Sequence, residues 1–488
     1  MARIGAYFDA FVGNPPFAGK NATREANGPG YVEWLMATTE GAFGNTDLCA
    51  YFFRRSADLL GEHGTLGLVA TNTVAQGDTR ATSLKHLVHH GAVIYAATSS
   101  MPWPGAAAVM ISVVHLAFGA PATRFRSASV LDGARVKAIN SRLLAGAERP
   151  DPRPLAGNSL RAFMGGKLIG EGLVVEQDEY DRLLALDARN GDILQPFLGG
   201  EDINQSPTGE TRRYAINFGK RTLEEAQSWP TLLRIVEERV RPERERNNRA
   251  TYRTYWWRPG EAGGALLDAI AGLSRCIVAA RVTKHLCFSF QPTKQFFNEK
   301  VYVFAFDDFG HLAVLQSRIH RAWAWLLSST MKSDLNYSAS DCFDTFPFPV
   351  APALASLEVV GRKLYEERAR YMVDEGVGLT TTYNRLRDGR CVEPRVAKLR
   401  ASHEAVDAAV LDAYGWRDLA APPFAADVAQ QRTFETEVVD RLFALNAERA
   451  EEERVKGLGG QSKRAEIAKR KRRKGGAAEG QGGLPGVR

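Results

Sequence analysis

The chain has 488 residues, of which 44% are hydrophobic and 24% are charged. This balance is typical of a globular protein with room for two or three domains. No apolar run approaches the roughly 20 residues that span a bilayer, and the N-terminus lacks the pattern of a secretory signal. The five cysteines are scattered without a CxxC pair, which argues against a zinc site or a disulfide framework and favours the cytoplasm.

The net charge of +7 is concentrated near the C-terminus. The stretch from Lys463 to Lys474 contains eight basic residues and one acidic residue, so its charge of +7 equals that of the whole chain. The glycine-rich flanks of this stretch predict a disordered basic tail over residues 456–488. Such a tail could hold nucleic acid by releasing counterions, or it could only keep the protein in solution.

Residues 1–120 alternate between strand-like and helix-like segments. YFDAFVG is a short apolar run that ends in glycine, and DLCAYFFRRSADLL has helical spacing. GEHGTLGLVATN, AVIYAATSS and AAVMISVVHLAF predict strands, the last of them central, whereas ATSLKHLVHH predicts a helix. The alternation predicts an α/β layered domain with a largely parallel sheet.

The residue composition and the hydrophobic pattern change twice in the rest of the chain. Residues 121–157 are weakly patterned and are expected to form a connection. Residues 158–350 predict a mixed α+β domain, with strand character in RCIVAARVTKHLCFSFQ and in KVYVFAFDDFGHLAVLQS. Residues 351–455 are rich in Ala, Glu, Arg and Leu and predict a helical region.

Asn14, Pro15, Pro16 and Phe17 form a rigid turn directly after the first predicted strand. Ligands of open α/β sheets bind outside the carboxyl ends of the strands. There an amide oxygen and a proline carbonyl could accept the two hydrogens of an exocyclic amino group, and the aromatic ring could stack on the same heterocycle. The turn therefore suits an amino-substituted base that has been turned out of a duplex, although a purely structural turn is the alternative.

This tetrapeptide resembles the catalytic motif of the amino-methylating DNA methyltransferases, in its adenine-N6 form. GNTDLCAYFFRRSADLLGEHGTLGLVATN and MPWPGAAAVMISVVHL resemble later segments of that family. The resemblance implies that Asn14 and Pro15 bind the adenine amino group, that Phe17 stacks on the base and that Pro16 holds the turn. It also places Asp47 near the pocket and Trp103 as a second wall. An N-cap role for Asp47 and a core role for Trp103 remain alternatives.

The middle of the chain resembles the target-recognition region of single-chain type IIG/IIL restriction–modification methyltransferases and their phage-defence relatives. Segments such as LQPFLGGEDINQSP, TYWWRPGE and STMKSDLNYSASDCFDTFPFP carry this resemblance, which continues to Trp416. It implies the C-terminal part of a Rossmann-like methyltransferase sheet, an α+β target-recognition domain and a helical C-terminal region. The expected activity is adenine-N6 methylation of a specific site in double-stranded DNA, with S-adenosylmethionine as the methyl donor.

The segment from Arg234 to Arg258 contains eight arginines and only four glutamates, and aromatic residues are interspersed among its last arginines. Arginine forks suit phosphates and guanine edges, and adjacent aromatic rings could stack or wedge. An ordinary Arg/Glu helix followed by a buried aromatic pair is the alternative. The candidate DNA contacts are Arg241, Arg244, Arg246, Arg249, Arg253, Trp256, Trp257, Lys284, Lys332 and Asn336.

In the order typical of these methyltransferases, the glycine-rich loop that binds the methyl donor precedes the Asn-Pro-Pro motif. In this sequence only thirteen residues precede Asn14. The chain is therefore expected to be the C-terminal portion of a longer enzyme, one subunit of a split enzyme, or a remnant that only binds DNA. A partner encoded upstream could supply the donor site or a nuclease. The alternative of another class is a non-catalytic, sequence-specific DNA-binding subunit. No metal site and no membrane partner are expected.

Overall fold

The computed structural model describes residues 8–60, 63–107, 109–126, 128–331 and 333–458. Most of the predicted basic tail, from residue 459 onward, lies outside the described residues. The chain divides into two compact units. Unit 1 comprises residues 1–151 and 327–336, and unit 2 comprises residues 152–326 and 337–488.

Among the described residues of 8–151 there are six strands and six α-helices. The strands are β1 (Ala10–Gly13), β2 (Gly64–Thr71), β3 (Val93–Pro102), β4 (Met110–Phe118), β5 (Ser129–Leu131) and β6 (Ala134–Val136). The helices are α1 (Lys20–Asn27), α2 (Tyr31–Thr38), α3 (Leu48–Leu60), α4 (Gly77–Thr82), α5 (Leu84–His89) and α6 (Gly119–Phe125).

The strands of unit 1 form one sheet in the order β1-β2-β4-β3-β5-β6. The prediction that β4 is central is confirmed. The prediction of a largely parallel sheet is wrong, because only the pairs β1–β2 and β3–β5 are parallel. A short turn joins β3 to β4 as an antiparallel hairpin, and β4 then inserts antiparallel to β2. The segment expected to be a connection contributes β5 and β6 to this sheet.

The core of unit 1 lies between the sheet and α3. Alternate residues of β2 are buried, so one face of that strand packs inward. Cys49, Phe53 and Leu60 of α3 meet this face. The segment ATSLKHLVHH, predicted as one helix, is divided between α4 and α5 at Ser83, whose φ of −108° and ψ of −92° lie outside the helical region.

The remaining elements follow in chain order. The strands are β7 (Ala162–Met164), β8 (Val174–Glu176), β9 (Leu194–Leu198), β10 (Arg213–Ile216), β11 (Arg275–Ala280), β12 (Val282–Thr283), β13 (Ser289–Pro292), β14 (Phe296–Phe297), β15 (Val301–Phe304), β16 (Ser329–Met331) and β17 (Asp334–Asn336). The helices up to residue 327 are α7 (Gln177–Leu186), α8 (Gly200–Gln205), α9 (Leu223–Ala226), α10 (Pro230–Arg239), α11 (Arg241–Glu245), α12 (Ala250–Thr254), α13 (Gly264–Ile270), α14 (Phe309–Gln316) and α15 (Arg318–Leu327).

Unit 2 contains two four-stranded sheets, in the orders β14-β9-β10-β8 and β13-β11-β15-β7. One hydrophobic core packs α10 and the tryptophans that follow α12 against the first sheet. A second core packs the other sheet against helices of the C-terminal region. That helical region is confirmed and consists of α16 (Ala351–Ser356), α17 (Glu358–Glu375), α18 (Leu379–Arg387), α19 (Pro394–Ala413) and α20 (Val428–Val455). None of the helices in the described part of the chain is long and apolar enough to cross a bilayer.

The strand character predicted for the segment GHLAVLQS is wrong, because this segment forms α14. The Asp308 carboxylate caps the helix by accepting a hydrogen bond of 2.7 Å from the main-chain N–H of His311. Almost every residue of α14 is buried, so the sequence shows no amphipathic period. A short apolar run that is buried on all sides cannot be distinguished from a buried strand by periodicity.

Candidate active site and DNA contacts

The turn formed by residues 14–17 lies at the carboxyl end of β1. β1 pairs in parallel with β2, with Gly13 opposite Leu68, and Asn14 follows at once. The 3₁₀ helix Asn72–Ala75 follows β2 at the same edge of the sheet. This is the edge at which α/β sheets bind their ligands, so the turn occupies the position predicted for it.

The turn presents two hydrogen-bond acceptors that have no partner among the described residues. The Asn14 side chain is exposed and forms no hydrogen bond there. The main-chain carbonyl of Pro15 likewise accepts none, while the Pro15 ring is buried. Pro15 and Pro16 have no N–H group, so only Asn14 and Phe17 carry main-chain donors within the turn. An amide oxygen and a carbonyl on successive residues are thus available to an incoming donor.

Asp47 fixes the trailing end of the turn. Its Oδ1 accepts hydrogen bonds from the main-chain N–H groups of Ala18, at 3.3 Å, and Cys49, at 3.1 Å. The N–H of Leu48 in turn donates to the carbonyl of Ala18 at 2.8 Å. Asp47 therefore caps the start of α3, as the alternative interpretation held, and also ties that helix to the residue after Phe17.

The two aromatic candidates differ in placement. Phe17 is half-buried and packs against the core of unit 1, which leaves part of its ring accessible. Trp103 lies in the turn between β3 and β4, where its main-chain N–H donates to the carbonyl of Val109 at 2.9 Å, and it is not a core residue. Because β3 runs in the same direction as β1, Trp103 lies at the same sheet edge as Asn14, three strands or about 14 Å away.

Arg244, predicted as a DNA contact, is buried in unit 2. Its Nε donates to the carbonyl of Ile169 at 2.9 Å, and its other nitrogens bond the carbonyls of Leu168, Tyr255, Trp256 and Arg258. Burial lowers the pKa of this guanidinium, although nearby Glu243 opposes the shift. With its hydrogens directed to main-chain carbonyls, Arg244 is corrected from a DNA contact to a structural residue.

The adjacent tryptophans need the same correction. Trp256 and Trp257 are buried and contact each other edge to face, with ring centroids 5.8 Å apart. The Trp257 Nε1 donates to the carbonyl of Arg221 at 3.0 Å. Both rings belong to the hydrophobic core of unit 2, so neither is available to stack on a base in this conformation.

Three of the predicted arginine contacts are exposed, and they are called the arginine patch below: Arg246, Arg249 and Arg253. Arg249 has one acidic neighbour, with its Nη1 3.5 Å from Oε1 of Glu261. Arg241 differs from the patch because Glu237 and Glu245 lie 2.6 and 2.8 Å from its guanidinium and neutralise its charge. The patch is therefore the part of the Arg/Glu segment that best suits DNA phosphates.

The remaining predicted contacts are scattered. Lys284 is exposed in unit 2. Asn336 lies in β17 and donates from Nδ2 to Ser329 Oγ at 3.0 Å. Lys332 lies outside the described residues. Asn336 thus belongs to unit 1, whereas Lys284 and the arginine patch belong to unit 2.

A cluster of charges stabilises the end of unit 1. Asp151 accepts hydrogen bonds from Lys85 and Arg142, each at 2.6 Å, and from buried Arg80. Burial alone would raise the pKa of Asp151, but Arg80 and Arg142 lower it to about 2. This cluster holds the segment after β6 against α4 and α5.

Two family models match the chain and define the class of each part. Residues 7–127 match the model described as "MmeI, DNA-methyltransferase domain", and residues 153–350 match "MmeI, target recognition domain". The chain therefore contains a methyltransferase-like domain and a target recognition domain of the restriction–modification kind. Both domains are similar to those of MmeI.

The solved structure of the type IIL restriction–modification enzyme MmeI in complex with DNA has the same fold. The TM-score is 0.71 at 18% identity, over 91% of this chain and 57% of that chain. The chain thus spans a little over half the length of that enzyme. The DrdV–DNA complex aligns over 75% of this chain and 44% of its own, at 11% identity and a TM-score of 0.38. No curated protein matches the chain.

One group of residues near the turn could not be predicted from the sequence. Thr330 of β16 forms hydrogen bonds with Asn72 and Gln76, which follow β2 in unit 1. About 250 residues separate these partners along the chain, and no local pattern marks such a contact.

Proposed function

We propose that the chain carries the base-binding and DNA-reading parts of a site-specific DNA adenine-N6 methyltransferase of a restriction–modification or phage-defence system. The observation that supports this most strongly is the pair of acceptors without a protein partner among the described residues, Asn14 Oδ1 and the Pro15 carbonyl, at the carboxyl end of β1. Two acceptors on a rigid turn match the two hydrogens of an exocyclic amino group.

In the proposed reaction, adenine leaves the duplex and enters the edge of the sheet beyond β1 and β2. Asn14 and Pro15 accept the N6 hydrogens, which leaves the nitrogen lone pair directed away from them. The accessible part of Phe17 stacks on the base, and Pro16 and Asp47 keep the turn rigid. Preorganised acceptors of this kind hold the nucleophile without further rearrangement.

S-adenosylmethionine is the methyl donor we propose, in keeping with a methyltransferase domain. The described residues of unit 1 contain no glycine-rich strand–loop–helix that fits this donor. The contribution of these residues is therefore confined to holding and orienting the base. Double-stranded DNA in the cytoplasm is the proposed partner, and the arginine patch is the proposed phosphate contact in the recognition domain.

A non-catalytic DNA-binding subunit is the second candidate. The exposed arginine patch favours it, because this feature requires DNA contact and no methyl transfer. A split enzyme, in which a partner chain binds the donor, would combine the two functions.

The test is to express the chain in a host without adenine methylation, alone and with the product of the reading frame immediately upstream. Sequencing of the host DNA then maps modified bases. N6-methyladenine at one defined sequence, in either arm, supports the methyltransferase. Modified cytosine would contradict the adenine assignment. Specific DNA binding without modification in either arm would contradict catalysis and support the second candidate.

A further inference from the structure

A β-hairpin formed by β16 and β17 packs within unit 1, although the chain on both sides of it belongs to unit 2. The hairpin lies inside the stretch that matches the target recognition domain. Ten residues of the segment that matches the target recognition domain, 327–336, therefore belong to the same unit as the methyltransferase-like domain.

The hairpin is anchored at the end of β2. The Thr330 hydroxyl accepts hydrogen bonds from Asn72 Nδ2 at 3.1 Å and from Gln76 Nε2 at 3.4 Å. The Thr330 N–H donates to Gln76 Oε1 at 3.0 Å. Since main chain and side chain are both held, the first strand of the hairpin has a defined position on unit 1.

This anchor lies close to the catalytic turn. β1 and β2 are in parallel register, with Gly13 opposite Leu68, so Asn14 is level with Val69. Asn72 lies three residues further along the same direction, which corresponds to about 10 Å. The hairpin is therefore attached at the sheet edge where Asn14 and Pro15 present their acceptors.

Met331 is the large hydrophobic residue that the described part of the hairpin exposes. It is the last residue of β16, it pairs with Asp334 across the hairpin, and 55% of its surface is exposed. Turning a base out of the duplex loses its stacking energy and leaves a gap in the base stack. Apolar side chains can enter a base stack, and the unbranched thioether of methionine adapts to irregular space.

We propose that Met331 inserts into the base stack beside the target adenine and stabilises the duplex from which the base has been turned out. This inference rests on the proposed methyltransferase function. Met331 is a positioning residue in this scheme, because it acts on the DNA and does not touch the adenine amino group.

The test compares two substrates that differ in the cost of extruding the adenine. One duplex carries the mapped site with adenine paired, and the other carries the same site with adenine opposite an abasic position. Met331→Ala should lower kcat/KM on the paired duplex about tenfold or more, since about 1.4 kcal/mol of stabilisation corresponds to that factor. On the abasic duplex the loss should shrink to about threefold or less, because extrusion there costs less.

Met36→Ala is the matched control, because Met36 is another exposed methionine of unit 1. It should leave kcat/KM unchanged on both duplexes. If Met331→Ala lowered kcat/KM by the same factor on the two duplexes, or on neither, the proposal would be overturned. Both variants replace exposed side chains, so their urea midpoints should match that of the wild type.

Fluorescence of 2-aminopurine at the target position separates this proposal from the proposed function. A rise on wild-type binding that Met331→Ala reduces supports insertion, even if no methyl transfer is detected. An identical rise with both proteins would contradict it. Absence of transfer by the wild type would count against the proposed function alone.

Discussion

The turn at residues 14–17 and the arginine-rich segment at residues 234–258 both carry residue types that suit DNA, but the structure treats them differently. The turn leaves two acceptors without a partner among the described residues, at a sheet edge. The segment divides its residues, since Arg244 and the two tryptophans support the core while the arginine patch is exposed. A rigid turn after a strand fixes where its groups point, whereas a helical segment has a buried and an exposed face.

The largest expected effect is on the turn. Asn14→Ala removes one of the two acceptors for the N6 hydrogens, so methyl transfer should fall by about 100-fold or more, the usual cost of losing one preorganised hydrogen bond. The readout is N6-methyladenine at the mapped site. Asn27→Ala, at an exposed position of unit 1, is the control and should retain full activity. Comparable activity of the two variants would remove the basis for the base-binding assignment.

The next effect tests the buried half of the arginine segment. Arg244→Ala leaves several buried carbonyls without a donor and should destabilise the protein by about 3 kcal/mol or more, measured by urea denaturation. Arg246→Ala, two residues away but exposed, should change stability by less than about 0.5 kcal/mol. If Arg244→Ala weakened DNA binding at unchanged stability, the structural role of Arg244 would be wrong.

Substitutions in the exposed half of the segment should weaken DNA binding and leave the stability unchanged. Replacing Arg246, Arg249 and Arg253 by Gln should reduce the slope of log affinity against log salt by about 0.9 for each phosphate that the variant no longer neutralises. Stability should be unchanged. Arg390→Gln, at an exposed position of the helical region, should leave the slope as it is. An unaltered slope in the triple variant would show that the patch does not bind phosphates.

A smaller effect concerns Asp151. Its pKa in the folded protein, about 2, lies below its usual value, so its ion pairs stabilise unit 1 above about pH 4, and this stability is lost as the pH falls toward 2. Because the side chain is 38% exposed, solvent screening limits the contribution to about 1 kcal/mol. Asp151→Asn should therefore be less stable at pH 7 and equal to wild type near pH 2. A difference that persisted at pH 2 would contradict this explanation.

The smallest effect is chemical. The five cysteines are thiols, and only Cys391 is not buried. Burial raises the pKa of Cys276 and of Cys287 to about 12, which suppresses their reactive thiolates. Brief maleimide treatment should therefore modify one thiol in the native protein and five after unfolding. Rapid native labelling at more than one site would show that the cores open readily.

Local sequence predicted the parts of the fold whose signals are local. The period of α3, the apolar run of β2 after its glycine-bounded turn and the apolar length of β4 all identified real elements. The sheet directions were mispredicted because the alternation of strands and helices was taken to imply a largely parallel sheet, whereas β3 and β4 form an antiparallel hairpin. Strand character in α14 was mispredicted because a segment buried on all sides has no helical period.

The site shows the same limit. Asn14 and Pro15 could be singled out because the chemistry lies within adjacent residues. Arg244 could not be separated from Arg246 by type or spacing, since only the fold shows which of them meets the carbonyls of Leu168 and Ile169. The contact of Thr330 with Gln76 depends on the fold in the same way, because the partners are far apart in the sequence.

The central claim is that Asn14 and Pro15 hold the amino group of an adenine that has left the duplex. A structure of the protein bound to DNA that contains the mapped site tests this claim most directly. We predict that Asn14 Oδ1 and the Pro15 carbonyl oxygen both lie within about 3.2 Å of adenine N6. An adenine that remains stacked in the duplex at the modified position, or an amino group bound by other residues, would contradict the claim.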